Sequence, residues 1–483
     1  MIERPNSKAI DRKRRLALPA SELPIRPAAE RSRDFDEAYA GWDLGTARAE
    51  ATRCIQCPAA PCVKACPVAN DIPWALWLLE HGDVAAAASV FRATNTMPEI
   101  CGRVCPQSEL CEGVCPYTKQ GRPPVPIGRL EAFVADHSPA PLPPISARTG
   151  NRAAVVGAGP AGLTVAEILA RKGHSVTVYD AWPAAGGVLR YGIPTFKMSH
   201  DLVSRRVAWL EALGVRFISS TFVGRDVTVD DLLVDGFETV FLGIGAGIYR
   251  EADFEGAALA GVHQATPFLV RANVEDGLRP TAVRPQDPVG SRVAVIGGGD
   301  TAMDCARTAL RLGAVEVTCW YRRTEEQMPG NPRDRELARQ EGARFSWLTQ
   351  PTGFRAGDHG RLAFMDCIRM ELGEPDSSGR RRPVPVEGSE FVVEVDTVVL
   401  ALGYEGDRRS VSRVEGLEAD RGHLIVIDPD SGATSREGVY AGGDAVLGPA
   451  LVVTAVAQGR RAAEAMHQRM TAARSSARPV WNA

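Results

Sequence analysis

The chain has 483 residues, 45% of them hydrophobic and 24% charged, and a formal net charge of −3. That length predicts about two to four domains with substantial cores. The near-neutral balance gives no sign of a nucleic-acid binder, which would carry a basic patch or stripe, and no apolar run approaches the roughly 18 residues of a membrane span.

Residues 1–50 are polar and Arg-rich, with no apolar core of a secretory leader, and are expected to form an arm that wraps the molecule or packs on a partner. The chain is therefore expected to be cytoplasmic, with no membrane and no nucleic acid as partners. A reducing compartment disfavours structural disulfides.

Residues 51–135 hold eight of the eleven cysteines and helix-like stretches such as IPWALWLLEHGDVAAAASVFRA. The first set is C-x2-C-x4-C-x3-C-P (Cys54, Cys57, Cys62, Cys66), and the second is C-x3-C-x5-C-x3-C-P (Cys101, Cys105, Cys111, Cys115). Structural zinc favours paired knuckles of two cysteines each. Runs of four closing on Cys-Pro look instead like bacterial ferredoxin segments, where three cysteines hold one cluster and the fourth reaches another. Two [4Fe–4S] clusters are therefore preferred over zinc. On that logic Cys54, Cys57 and Cys62 hold one cluster and Cys66 crosses to the second, which needs only three of the later four. One cysteine is then surplus and the first cluster lacks a fourth ligand. Cys101, or a carboxylate from VPIGRLEAF (125–133), could fill the gap.

SPAPLPPISARTG (138–150) reads as a Pro-rich linker. Beyond it the texture becomes strand, Gly-rich loop and helix. NRAAVVGAGPAGLTVAEILARKGHSVTVYD carries Gly157, Gly159 and Gly162 between an apolar strand and a helix starting near Pro160 and Ala161. That is G-x-G-x-x-G in its required setting, with a pyrophosphate on the helix N-terminus. Asp180 ends the second strand, where an acid can accept from a ribose hydroxyl. A second unit, SRVAVIGGGDTAMDCARTALRLGAVEVTCWYRR (291–323), carries Gly297, Gly298, Gly299, Asp300, Thr301 and Ala302. No acid ends its second strand; Tyr321, Arg322 and Arg323 stand there instead, and a guanidinium suits the 2′-phosphate of NADP. Strands are expected in TVFLGIGAG (239–247) and DTVVLALGY (396–404). A closing strand leads through Gly442, Gly443 and Asp444 to a helix near Ala450, where Asp444 can hold the ribitol of FAD. Alternating strands and helices imply parallel sheets covered on both faces.

Residues 151–466 resemble the FAD- and NAD(P)-dependent oxidoreductases of the thioredoxin-reductase and adrenodoxin-reductase type. The resemblance implies an NADP domain inserted into a FAD domain. After residue 115 only Cys305, Cys319 and Cys367 remain, none close to another, so a disulfide reductase is disfavoured and these three are expected in cores.

With the eight cysteines in front, and with VPIGRLEAF, VVGAGPAGL, GGVLRYGIPTFKM, VIGGGDTAMDC, WYRRTEEQMPG and YAGGDAV, nearly the whole chain resembles the small (β) subunits of bacterial NADPH-dependent glutamate synthases. The resemblance implies that Glu131 is a ninth cluster ligand and Cys101 the surplus thiol. It also implies that Gly186 and Gly187 let backbone approach FAD, while Leu189 and the Tyr191–Pro194 turn line the flavin. The expected fold is α/β: two Rossmann-like domains behind a mainly helical iron–sulfur domain. The expected division is 1–145 for the two clusters, 150–287 for FAD, 288–400 for NADP and 401–483 for FAD again. The implied function is electron input, with NADPH reducing FAD and the clusters passing single electrons to the FMN of a large (α) subunit that makes glutamate from glutamine and 2-oxoglutarate. Hydride transfer requires no acid–base residue, so none is named. The alternatives are a reductase serving ferredoxin or another partner, and a cluster scaffold without turnover.

Overall fold

The computed structural model describes residues 2–6, 10–144, 146–250, 252–281, 283, 288–375 and 379–476, with backbone alone over 473–476. The cysteine-rich part is helical, as its sequence predicts. The helices Leu44–Thr52, Ile72–Glu80 and Val84–Thr94 each open on an aspartate, Asp43, Asp71 and Asp83, whose carboxylate accepts a backbone N–H of the first turn. IPWALWLLEHGDVAAAASVFRA thus becomes two helices, broken at His81–Gly82–Asp83. Their apolar faces, with Leu76, Leu79 and Phe91, pack on Leu130 and Val134 of the helix Ile127–His137.

The polar arm wraps the molecule. Arg15 pairs with Glu80 at 2.7 Å, the amide of Ala38 donates to the carbonyl of Phe196 at 2.9 Å, and Arg31 is buried 2.9 Å from Glu341. Glu341 also receives Arg307 at 2.9 Å and Arg311 at 2.7 Å. Both of these guanidiniums lie over the ring of Phe196, which spreads their charge against an aromatic face.

Two parallel five-stranded sheets follow. The first runs Val439–Ala441, Thr239–Leu242, Arg152–Val156, Ser175–Tyr179, Arg216–Ile218. Its edge strand comes from near the chain's end, so the second domain is inserted into the first. The second sheet runs Val262–Gln264, Thr397–Leu400, Arg292–Ile296, Glu316–Tyr321, Arg344–Trp347. The strand Val262–Gln264 pairs in parallel with Thr397–Leu400, so this sheet begins ahead of residue 288, where the sequence predicts the NADP domain to start. A three-residue strand without a Gly-rich turn gives no periodicity to detect. The predicted boundary at 287–288 itself falls partly outside the described residues. An antiparallel sheet of Thr349–Ala356, Leu362–Pro375, Arg381–Pro385 and Phe391–Glu394 is a further addition that the sequence reading did not foresee.

In both domains the crossover helix, Pro160–Arg171 or Asp300–Arg311, packs on its sheet and points its N-terminus at the ends of the central strands. The closing helix Val452–Ser476 lies along Pro160–Arg171. Among the described residues no helix is long and apolar enough to cross a membrane.

Candidate functional site

Three loops meet at the N-terminus of Pro160–Arg171. Gly157 has φ +96°, and a Cβ there would strike the carbonyl of Gly243. Gly159 forms the N-cap with open space beside it. Ala161 and Gly162 open the helix, and any side chain at Gly162 would collide with the carbonyl of Gly157. The second loop arrives through Gly186, whose amide donates to Ala158 at 2.9 Å. Gly187 follows with φ +52°, and its Cβ would stand 2.8 Å from the Cα of Gly159. The third brings Gly443, whose Cβ would lie 3.0 Å from that of Ala161, and whose amide donates to Gln458 Oε1 at 2.6 Å. Backbone is thus stripped bare on three sides of one helix N-terminus, a cradle that fits a pyrophosphate and the rest of a dinucleotide.

Asp180 accepts from the amides of Ala158 at 2.6 Å and Trp182 at 2.8 Å. It therefore pins the glycine loop to the strand end, and burial raises its carboxyl above the usual range. Asp444 lies ahead of the closing helix and accepts from Ala450 at 3.2 Å; burial pushes it up to about 6. Leu189 is fully buried in the apolar core, so only its backbone can face a ligand. The hydroxyl of Tyr191 accepts from the amide of Ala184 at 2.9 Å and donates to the carbonyl of Leu278 at 3.1 Å.

The second dinucleotide loop is built alike. Gly299 caps the helix, Asp300 and Thr301 begin it, and Ala302 is buried. At Gly297 a Cβ would strike the carbonyl of Ala401, and at Gly298 the ring of Tyr321. Sequence reading missed the loop that folds over it: the amide of Gly330 donates to Gly298 at 3.0 Å and that of Asn331 to Asp300 at 2.7 Å. The only sequence signal there is the turn in MPGN. Arg322 and Arg323 follow the strand Glu316–Tyr321 and make no ion pair among the described residues. Burial lowers the Arg322 guanidinium, and the charges of Arg323 and Arg380 lower it further. The pair Arg322 and Arg323, standing where the second strand ends, suits a phosphate dianion.

The cysteines form two groups. Burial pushes up the thiols of Cys54, Cys57 and Cys62, and Cys115 adds to the rise in all three. The other group lines one small cavity: Cys66, Cys101, Cys105 and Cys111, with Glu131, Asn70, Asn95 and Val453. Burial pushes Cys66 up, with Glu131 and Cys101 adding to it.

This corrects the expected division. Cys115 stands with the first set, and Cys101 and Glu131 do not. Both stand in the second group. Sequence spacing could not show this, because the Cys111–Cys115 segment turns back across both groups. Glu131 is buried on Ile127–His137 and accepts from Asn95 at 2.8 Å and Asn70 at 3.1 Å. Burial raises its carboxyl to about 8.

Four thiolates in one buried place repel each other unless a cationic core compensates them, so each group fits a metal–sulfur body. Cys305, Cys319 and Cys367 are buried in the cores of the second domain, as expected.

The comparisons with known proteins agree with this architecture. Residues 31–141 match the family model described as dihydropyrimidine dehydrogenase domain II, 4Fe-4S cluster, and residues 151–459 match pyridine nucleotide-disulphide oxidoreductase. The chain is 42% identical over 451 residues to the glutamate synthase [NADPH] small chain of Escherichia coli, covering 91% of this chain and 95% of that one. It is also 42% identical over 461 residues to the putative oxidoreductase AegA of the same organism, covering 93% of this chain and 69% of AegA. The solved structure of Mycobacterium tuberculosis FprA in complex with NADPH shares the fold, with a TM-score of 0.57 at 20% identity, over 68% of this chain and 86% of that one. The chain belongs to the pyridine nucleotide-disulphide oxidoreductases, in the branch that carries an N-terminal 4Fe-4S domain and includes the small chains of NADPH-dependent glutamate synthase.

Proposed function

We propose that this chain is the electron-input subunit of an NADPH-dependent glutamate synthase, working in the cytoplasm beside a large FMN-containing subunit. One observation carries the electron-transfer part. Val453 lies in the first turn of the closing helix that follows Gly443 and Asp444, and it also lines the cavity of the second cysteine group. One residue therefore touches both the metal site and the helix that borders the flavin cradle.

The residues divide the work. Gly157, Gly159, Pro160, Ala161 and Gly162 would hold the FAD pyrophosphate. Asp180 fixes their loop, Gly187 gives close approach, and Gly443 and Asp444 face the ribitol. Gly297 through Ala302 would hold the NADPH pyrophosphate, with Arg322 and Arg323 on the 2′-phosphate. Cys54, Cys57, Cys62 and Cys115 would hold one four-iron cluster; Cys66, Cys105, Cys111 and Glu131 would hold the other. When bound, FAD accepts two electrons as hydride and the clusters carry single electrons. The second group borders the flavin cradle. Beside the first, Pro58 and Ala59 next to Cys57 are exposed, which offers a short path to a partner.

Glutamine- and 2-oxoglutarate-dependent NADPH oxidation, on mixing with a glutamate synthase large subunit, tests the assignment. Flavin bleaching by anaerobic NADPH without that dependence would favour the second reading, a reductase for another acceptor, to which the match with AegA points. No bleaching at all would sink both.

A further inference from the structure

The chain passes between the two dinucleotide domains twice, and the two passes pair as the ribbon Ile248–Tyr249 with Tyr404–Glu405. A ribbon of two residues a side is a weak joint, and domains linked in this way swing unless a further interface stops them. Hydride transfer needs the opposite, a single near-attack geometry between the two sites. We propose that residues 31–38 of the polar arm are a clasp that fastens the NADP domain on the FAD domain in that geometry, with Arg31 and Glu37 as its positioning residues. This rests on the assignment of FAD to the first site and NADPH to the second.

One end of the clasp grips the NADP domain. Arg31 is buried; its Nε donates to Glu341 Oε1 at 2.9 Å and its Nη2 to Gln340 Oε1 at 2.6 Å, at the end of the helix Pro332–Gln340. Its Nη1 donates to the carbonyl of Arg26 at 2.8 Å, which stiffens the arm itself. The other end grips the FAD domain. Glu37 Oε1 accepts the amide of Ser199 at 2.9 Å, and the same carboxylate takes Arg103 of the cysteine-rich domain at 2.9 Å. Beside it the Thr195 hydroxyl donates to the carbonyl of Phe35 at 3.0 Å, and the amide of Ala38 donates to Phe196 at 2.9 Å.

These contacts fall on the segment that faces the NADP domain. Phe196 lies under Arg307 and Arg311, and Lys197 pairs with Asp304 and Asp334. The same loop, followed back along the chain, brings Gly187 to the FAD cradle. Glu341 does not depend on Arg31 for its compensating charge, because Arg307 and Arg311 of its own domain stand 2.9 and 2.7 Å from it. What Arg31 adds is the link to the arm.

Arg31→Ala should therefore free the NADP domain without unfolding it, and Glu37→Ala should do so from the other end. The test uses full-length protein carrying its cofactors. Small-angle X-ray scattering of the parent, without nucleotide, should fit the closed arrangement. R31A and E37A should depart from it in the same way, and R31A/E37A no further, because a strap released at one end is already released. Anaerobic reduction of the flavin by NADPH should slow roughly ten- to a hundred-fold in all three, at unchanged flavin content and NADP+ affinity. R31K should recover part of the rate lost in R31A. Scattering identical to the parent's, an unchanged reduction rate, or slowing in the double variant equal to the product of the two singles overturns the proposal. A parent profile with the domains already apart does so too. If R31A fails to fold, E37A and R31K carry the same comparison. Failure of NADPH to bleach the parent flavin sinks the cofactor assignment instead, and the scattering comparison then decides the clasp by itself.

Discussion

Lys197 reaches out of the first dinucleotide domain and sets its ammonium 3.0 Å from a carboxylate oxygen of Asp304, in the second. Asp334 stands 2.8 Å away on the same nitrogen. Burial pushes Asp304 up to about 6 even though Lys197 pulls the other way. Lys197→Met should therefore leave the buried Asp304 without its cation and Asp334 with Arg307 alone at 3.7 Å, and destabilise the protein by about 3–5 kcal/mol. Thermal unfolding measures this. Adding Asp304→Asn to K197M should recover part of the loss, and an unchanged melting temperature in K197M would refute the inter-domain role.

The regrouped cysteines predict which variants resemble each other. Cys115→Ser should remove the same cluster signal as Cys54→Ser, and Cys105→Ser should remove the other. Iron analysis with EPR of the reduced protein distinguishes them. Loss of the Cys105-dependent signal in C115S would restore the division by sequence order.

The crowding of Arg322 and Arg323 predicts a preference for the phosphorylated nicotinamide cofactor. Each charge-assisted hydrogen bond contributes about 1.5–3 kcal/mol. Arg322→Ala with Arg323→Ala should thus raise KM for NADPH by roughly one to two orders of magnitude while leaving KM for NADH nearly unchanged. Equal changes for both cofactors contradict the assignment.

Near the linker, His174 Nδ1 lies 2.8 Å from the hydroxyl of Thr149, and its Nε2 lies 2.8 Å from His467 Nδ1. Burial lowers His174 to about 4, and His467 and Lys172 push it the same way. The folded state binds its proton less readily than the unfolded chain does. The stability this pair contributes is therefore fully present above pH about 6.5 and is lost as pH falls from there through about 4. Urea unfolding across that range should show the fall, and His174→Gln should flatten it.

The dinucleotide loops were legible in the sequence because their chemistry is local. A strand, the glycine turn and a helix follow one another between Arg152 and Arg171, and the structure holds Gly157 and Gly297 in the close approaches such a motif demands. The inserted order of domains was legible through the similarity of its motifs. The pairing of Cys115 with Cys54 was not, since spacing along a chain says nothing about how a segment crosses back. Nor was the clamp on Glu131, because Asn70 and Asn95 are ordinary residues until folding brings them to one oxygen. Arg31 reads as one charge in a polar arm, and only its burial against Glu341 makes it structural.

Val453 is made well after Cys66, Cys105 and Cys111 have emerged. During synthesis their cavity therefore has no Val453 wall until both dinucleotide units have been made and the closing helix has docked. The thiols of the second group stay open to an iron–sulfur donor through that interval. Once docked, the helix adds an apolar wall to the cavity, so loading there is coupled to the docking of that helix. Clipping the protein ahead of residue 452 should leave the second cluster exposed to chelators and oxygen.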